Sequence, residues 1–336
     1  MTTLAESPLW HPSEARIADA NISHFMDLVN RRHGVSLASY DALYEWSITA
    51  RADFWETLWD FTGVIGDKGA APYLQDGDKM PGARFFPNAK INFAENLLRR
   101  TDEADSMVFW SEDKIKRRLS HAEVYAQVSR LAQAMAAAGV GPGDRVAAFM
   151  PNMPETVIAM LATASLGAVW SSCSPDFGVQ GVLDRFGQIE PKILIAVEGY
   201  HYNGKAIDVL DKVAAVAAAL PSLARVVVVS HIRPQPAIDE LPLAQHLDDF
   251  TAAFAATTIH FQPMGFNEPL YIMYSSGTTG VPKCIVHGIG GTLLQHLKEH
   301  SLQSDVKAND RVFYFTTCGW MMWNWLVSGM AVEATL

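Results

Sequence analysis

The chain has 336 residues, 49% of them hydrophobic and 18% charged, with a net charge of −10 and a pI near 5.5. That composition excludes a disordered chain, and the acidic balance argues against nucleic-acid binding, which draws affinity from counterions released by basic side chains. Three cysteines, Cys173, Cys284 and Cys318, are too few and too far apart for a disulfide framework or a zinc ribbon, so no metal site and a reducing, cytoplasmic setting are expected.

Residues 1–12 carry no basic stretch followed by an apolar one, so no secretory signal is expected. Residues 22–32 have a helical pattern that stops before Gly34. Residues 40–61 hold widely spaced aromatics (Tyr40, Tyr44, Trp46, Phe54, Trp55, Trp59, Phe61), and 70–88 are rich in Gly, Pro and Asp, which predicts loop. The first hundred residues thus read as a mostly helical segment with irregular joins. The densest basic patch, Asp113 to Arg118, reads as the exposed end of a strand.

From Met107 the pattern becomes regular. Ser120 and Glu123 form a capping box, predicting a helix to Ala138 that stops at Gly139. Residues 145–150 predict a strand, and a helix runs from Pro154 to Gly167. Within it begins the longest smooth apolar run, Val157 to Trp170. This is shorter than the roughly 18–20 residues of a membrane helix, so it reads as a core helix and no membrane partner is expected. A strand follows at 168–171, a helix at 179–189 and a strand at 192–197. A helix is predicted over 206–220 and a strand over 225–229. Two more strands, 270–274 and 311–315, flank a helix over 292–303. This alternation predicts an α/β fold, a parallel sheet with helices on both faces, preceded by the helical N-terminal segment.

The most informative stretch is Ser275-Ser276-Gly277-Thr278-Thr279-Gly280-Val281-Pro282-Lys283, fed by the apolar segment ending at Tyr274. Its glycines let backbone N–H groups approach an anion, its four hydroxyls can bond phosphate oxygens, and Lys283 supplies a positive charge. Residue types alone leave two readings open, a nucleotide phosphate loop and a polar turn. Neither Gly-Lys-Ser/Thr nor Gly-x-Gly-x-x-Gly nor Gly-x-Ser-x-Gly occurs, so P-loop, dinucleotide-fold and serine-hydrolase readings fall away.

This loop resembles the signature of the adenylate-forming superfamily at every fixed position. Gly143 to Ala147, Met150 to Glu155, and His287 with Gly290-Gly291 are similar to further segments of its ligases. Arg84 to Leu98 and Gly319 to Trp325 resemble the acetoacetyl-CoA synthetase type within it. Cys284 stands where many members have Gly.

The resemblance implies an incomplete large N-terminal domain, with 1–100 the N-terminal segment of acetyl-CoA synthetase type and 101–336 the first part of the adenylation domain. It implies a ligase that joins acetoacetate to CoA through an acyl-adenylate, with ATP, Mg2+ and CoA as co-substrates and no tightly bound cofactor. Acetate or propionate as the acid, and a non-catalytic nucleotide-binding fragment, are the alternatives. By the same resemblance, Ser275, Ser276, Thr278, Thr279 and Lys283 grip the ATP phosphates while Gly277 and Gly280 let the loop close. Trp320, Met321 and Met322 shape the acid pocket, for which plain core packing is the competing reading. Asn203-Gly204-Lys205 meets the CoA nucleotide, or is simply a loop before a helix. His287 lies beside the site with no acid–base role.

Superfamily members are nearly twice as long. Their Tyr-Gly-x-Thr-Glu segment, ribose-binding aspartate and C-terminal adenylation lysine do not occur before Leu336. The stretch 329–336 reads as a strand cut in the middle. The expectation is therefore a chain with little ligase activity of its own, whose intramolecular partner is a C-terminal half covering exposed apolar surface.

Overall fold

A computed structural model describes residues 10–275 and 280–336. Four helices open it, Glu14–Asp19, Asn21–His33, Tyr40–Thr49 and Arg51–Phe61. The second ends at Gly34, whose φ of 65° makes the left-handed C-cap. The aromatics of this segment divide by burial. Tyr40 and Tyr44 are exposed, whereas Phe25, Phe54 and Phe61 meet edge-to-face at 5.3–5.7 Å around a small core that also takes Leu302. Residues 70–88 are loop apart from the two-residue strands Leu74–Gln75 and Arg84–Phe85.

The centre is a seven-stranded sheet. Its strands in chain order are β1 (Arg145–Phe149), β2 (Val169–Cys173), β3 (Ile193–Val197), β4 (Arg225–Val229), β5 (Ala244–His246), β6 (Pro269–Tyr274) and β7 (Cys284–Gly288). The spatial order is β5-β4-β3-β1-β2-β6-β7. All neighbours pair in parallel except β6 and β7, which form an antiparallel hairpin. Past the arginines that open β1 and β4, the strands β1 to β4 are buried on both faces, as parallel strands covered by helices must be, and all are apolar there except β2, which carries Ser171 and Ser172.

The helices around this sheet include α1 (His121–Ala137), α2 (Pro154–Ser165), α3 (Val179–Phe186), α4 (Leu210–Ala219), α5 (Ile289–Lys298) and α6 (Met321–Val327). Helix α1 carries the expected capping box, with Ser120 and Glu123 bonded reciprocally at 3.1 and 2.8 Å. Helix α2 starts with Pro154 at its first turn and is buried almost all round; its alanines admit close neighbours. Right-handed crossovers then fix the layers. The chain steps from β1 one way to β2, then back across β1 to β3 and onward to β4, so α2 covers one face while α3 and α4 cover the other. No helix among the described residues is long and apolar enough to cross a membrane.

Four expectations need correction, the first being that 329–336, read as a strand, is a 3-10 helix over Ser328–Val332 followed by one bridge at Thr335. The helix predicted over 206–220 begins only at Leu210, because Lys205–Asp208 pairs antiparallel with Gly199–Tyr202. Asn203 and Gly204 sit at the tip with φ of 50° and 74°, the left-handed pair that a two-residue hairpin turn demands. The strand predicted over 311–315 is a single parallel bridge, Arg311 with Thr335. Finally, β7 is a strand the sequence reading assigned to no element, and it breaks the all-parallel pattern. The basic patch 113–118 lies in a hairpin turn and strand, as read, and its charge is offset: Arg117 makes a two-pronged contact with Glu155 at 2.7 and 2.8 Å, and Arg118 pairs with Asp105.

Candidate functional site

Parallel α/β sheets bind ligands beyond the carboxyl ends of their strands, above all where the chain reverses its direction of travel across the sheet. Here that point lies between β1 and β3, and Ser275 and Trp320 lie along the same edge, at the ends of β6 and β2.

The Ser275–Lys283 loop joins β6 to β7. Its neck is closed by the Ser275 N–H donating to the Lys283 carbonyl at 3.0 Å. Ser276, Gly277, Thr278 and Thr279 lie outside the described residues. Gly280 has φ of 129°, a conformation that side chains rarely adopt. Lys283 is exposed and makes no ion pair with a described residue. Gln188, just past α3, steadies the loop from outside: its Nε2 donates to the Pro282 carbonyl at 2.8 Å, and Cys284 Sγ lies 3.7 Å from its Oε1. Burial raises the Cys284 thiol pKa, which keeps it protonated.

Tyr274 ends β6 directly before the loop. Its hydroxyl lies 3.0 Å from Ser171 Oγ on β2, and burial raises its pKa well above the usual phenol, so it stays neutral. The Arg185 guanidinium of α3 lies 4.5 Å from the Phe177 ring centre and 5.8 Å from that of Tyr274. Arg185 thus brings a cation beside the loop that residue patterns did not single out.

Trp320 caps α6, and the residues before it are docked on the end of β2. Ser172 Oγ donates to the Cys318 carbonyl at 2.6 Å, and Gly319 faces the backbone of residues 172–174. Trp320 is 68% exposed, Met321 is exposed and Met322 half-buried. Behind them Trp323 is fully buried, stacks with Trp170 at 6.5 Å and donates from Nε1 to Asn152 Oδ1 at 2.9 Å. Asn152 follows β1, so α6 is pinned to two neighbouring strands. His287, on β7, has its ring 5.0 Å from that of Tyr271, and burial lowers its pKa, leaving it neutral.

At the reversal point opens a cleft of about 620 Å³. Pro151 and Asn152 line it from β1, and Tyr200, His201, Tyr202 and Asn203 from the hairpin after β3. Asn203, Gly204 and Lys205 are exposed at the hairpin tip, where the Gly204 N–H donates to Glu112 at 2.8 Å. They therefore stand apart from the Ser275–Lys283 loop, on the flank of the sheet beyond β1.

Deep in this cleft Ser111 Oγ lies 3.1 Å from both His201 Nδ1 and His231 Nε2. Burial, then the neighbouring His201, lower the His231 pKa to about 4, so it is neutral near pH 7. Glu198 carries His231 into place. It is fully buried, and its carboxylate accepts the backbone N–H groups of His231, Ile232 and Arg233 at 2.7–2.8 Å. Sequence reading missed this group because its partners lie 90 and 120 residues from Ser111.

Residues 94–334 match the AMP-binding enzyme family. The chain belongs to that family. Residues 40–97 further match the acetyl-coenzyme A synthetase N-terminus. Among AMP-binding relatives, acetoacetyl-coenzyme A synthetase of Rhizobium meliloti is 55% identical over 335 residues, covering 99% of this chain and 51% of the relative. Malonamoyl-CoA synthetase of Penicillium aethiopicum is 41% identical over 345 residues, covering 98% and 47%. The solved acetoacetyl-CoA synthetase from Streptomyces lividans superposes with a TM-score of 0.92 at 40% identity, covering 98% of this chain and 50% of that one. The chain spans about half the length of the relatives it matches.

Proposed function

We propose that this chain is the part of an ATP-dependent acetoacetate–CoA ligase that grips the ATP phosphates and walls the acid pocket. The reaction would run in two steps. The acid's carboxylate attacks the α-phosphorus of MgATP, giving acyl-AMP and pyrophosphate, and the CoA thiol then displaces AMP. Magnesium enters with ATP as part of the substrate. In this reading Ser275, Ser276, Thr278, Thr279 and Lys283 hold the phosphates, with Gly277 and Gly280 setting the loop's path. Trp320, Met321 and Met322 bound the acid. The cleft at the hairpin takes the nucleotide end of CoA, with Tyr200 and Tyr202 as stacking surfaces and Asn203, Gly204 and Lys205 at its rim.

The observation that carries the reading is that the hydroxyl-, glycine- and lysine-bearing segment 275–283 joins β6 to β7, while the exposed Trp320 follows residues docked on the neighbouring strand β2. The relatives support the choice of acid. Acetoacetyl and malonamoyl groups both carry a carbonyl at C3, which acetyl and propionyl groups lack. The division at residue 100, and a C-terminal half supplying the remaining groups, belong to the same proposal, as does the inactivity of these 336 residues alone.

The test is thioester formation by a polypeptide extended to the length of the relatives, with acetoacetate, butyrate, acetate and propionate compared by kcat/KM. The reading expects acetoacetate to exceed butyrate by about a hundredfold or more, as a pocket that bonds a substrate carbonyl would impose. Equal use of butyrate, or a preference for acetate, would overturn the choice of acid.

A further inference from the structure

Helix α6 has seven residues, too short to hold its own position. Two histidines from the α5 region hold it. His296 Nδ1 lies 2.7 Å from Ser328 Oγ, whose one hydrogen is committed to the Asn324 carbonyl at 2.9 Å. Ser328 therefore accepts, and His296 carries its proton on Nδ1. His300 sits in the π-helical turn Glu299–Gln303 that continues α5. Its Nε2 lies 2.8 Å from the Trp325 carbonyl, which can only accept, so His300 carries its proton on Nε2. The two rings are thus opposite tautomers, each dictated by its partner.

The His300 ring also stacks on the Trp325 indole, with centroids 4.1 Å apart at 29°, and Trp325 meets Tyr314 edge-on at 6.2 Å. Burial lowers both imidazole pKa values, that of His296 to about 3, so both are neutral donors at pH 7. His300 Nδ1 is buried without a hydrogen-bond partner among the described residues. A leucine there would avoid that cost but would lose what the other edge and the face of the imidazole do. Because α5 follows β7 directly, these contacts join the phosphate-loop hairpin to the helix bearing Met321 and Met322.

We propose that His296 and His300 are positioning residues for the acid pocket, fixing α6 and the Trp325 indole relative to the phosphate loop. The proposal rests on the reading that α6 lines that pocket. The test uses the extended ligase with His300→Leu and His300→Gln, and with His296→Leu and His296→Asn. The Gln and Asn amides can replace the Nε2 and Nδ1 donors respectively. The leucine variants should raise KM for the acid by roughly tenfold or more while KM for ATP stays within about twofold, since a small misplacement of a pocket wall is costly only for what touches it. The amide variants should recover most of the loss. Equal changes in both KM values, or leucine and amide variants that behave alike, would overturn the proposal while leaving the choice of acid intact. If the wild type activates a different acid, the choice of acid fails and the same KM comparison on that acid decides the proposal. Hydrogen exchange on the 336-residue chain gives an independent reading. Amides of α6 should exchange faster in His300→Leu than in His300→Gln with β2 unchanged, and equal exchange in the two variants would contradict the proposal.

Discussion

Lys283 and Glu198 show two ways a charged side chain can matter. Lys283 is exposed and makes no ion pair with a described residue, so its removal costs the fold little. In the extended ligase, Lys283→Ala should lower the rate of adenylate formation by roughly a hundredfold, the scale for deleting one preorganised donor at developing charge, with an unchanged melting temperature. Rate and melting curve together check this. Glu198 is the opposite case. It is fully buried, with three N–H groups on its carboxylate. Glu198→Leu should destabilise the chain by about 3 kcal/mol or more in urea unfolding, and Glu198→Gln by less, because the amide keeps one accepting oxygen. Lys283 was legible in the sequence, since its neighbours in the chain are its neighbours in the loop. Glu198 was not, since its role depends on a turn more than thirty residues later.

Among elements, the strands β1 to β4 and helices α1 to α3 were legible because each is written in its own residues: a capping box, a proline at a first turn, unbroken runs of valine and isoleucine. The errors arose where an element depends on a partner. The 311–315 segment has strand-like residues, but its pairing is with Thr335: the Val312 N–H donates to the Thr335 carbonyl at 2.9 Å, and no described residue pairs with it further on. The 199–208 hairpin was hidden because its turn, Asn203-Gly204, had been read for a ligand role instead of its backbone. Gly204→Ala tests that backbone role. No atom would touch the added Cβ, so the cost is the left-handed conformation alone, about 1–2 kcal/mol in urea unfolding, with loop 275–283 chemistry unaffected.

The molecule as a whole carries several histidines held neutral by burial. His231, His287, His296 and His300 all have pKa values below the ordinary 6.5. A base whose folded pKa is depressed takes up protons on unfolding, so its stabilising contribution is full above about 6.5 and is lost as pH falls through that value toward the folded pKa. The urea midpoint should therefore hold near pH 7–8 and decline from about pH 6.5 down to about 4, and His231→Asn should flatten part of the slope.

A second whole-molecule feature is the apolar cleft of about 530 Å³ between Met107–Trp110 and Val312–Phe313. Leu336 lines it, its N–H donating to the Ser106 carbonyl at 2.9 Å and its carbonyl accepting from the Val108 N–H at 2.8 Å. Phe313 and Phe315 are 84% and 86% exposed beside it. Such a surface invites association between copies, so Phe313→Ser with Phe315→Ser should reduce light scattering on concentration.

In the proposed ligase the acid is activated as an adenylate on the β6–β7 loop. Exchange of labelled pyrophosphate into ATP by the extended ligase, without CoA, tests it most directly. Exchange should require acetoacetate, be indifferent to CoA and fall roughly a hundredfold in Lys283→Ala. Exchange that proceeds without the acid, that needs CoA, or that is undiminished by loss of Lys283 would contradict it.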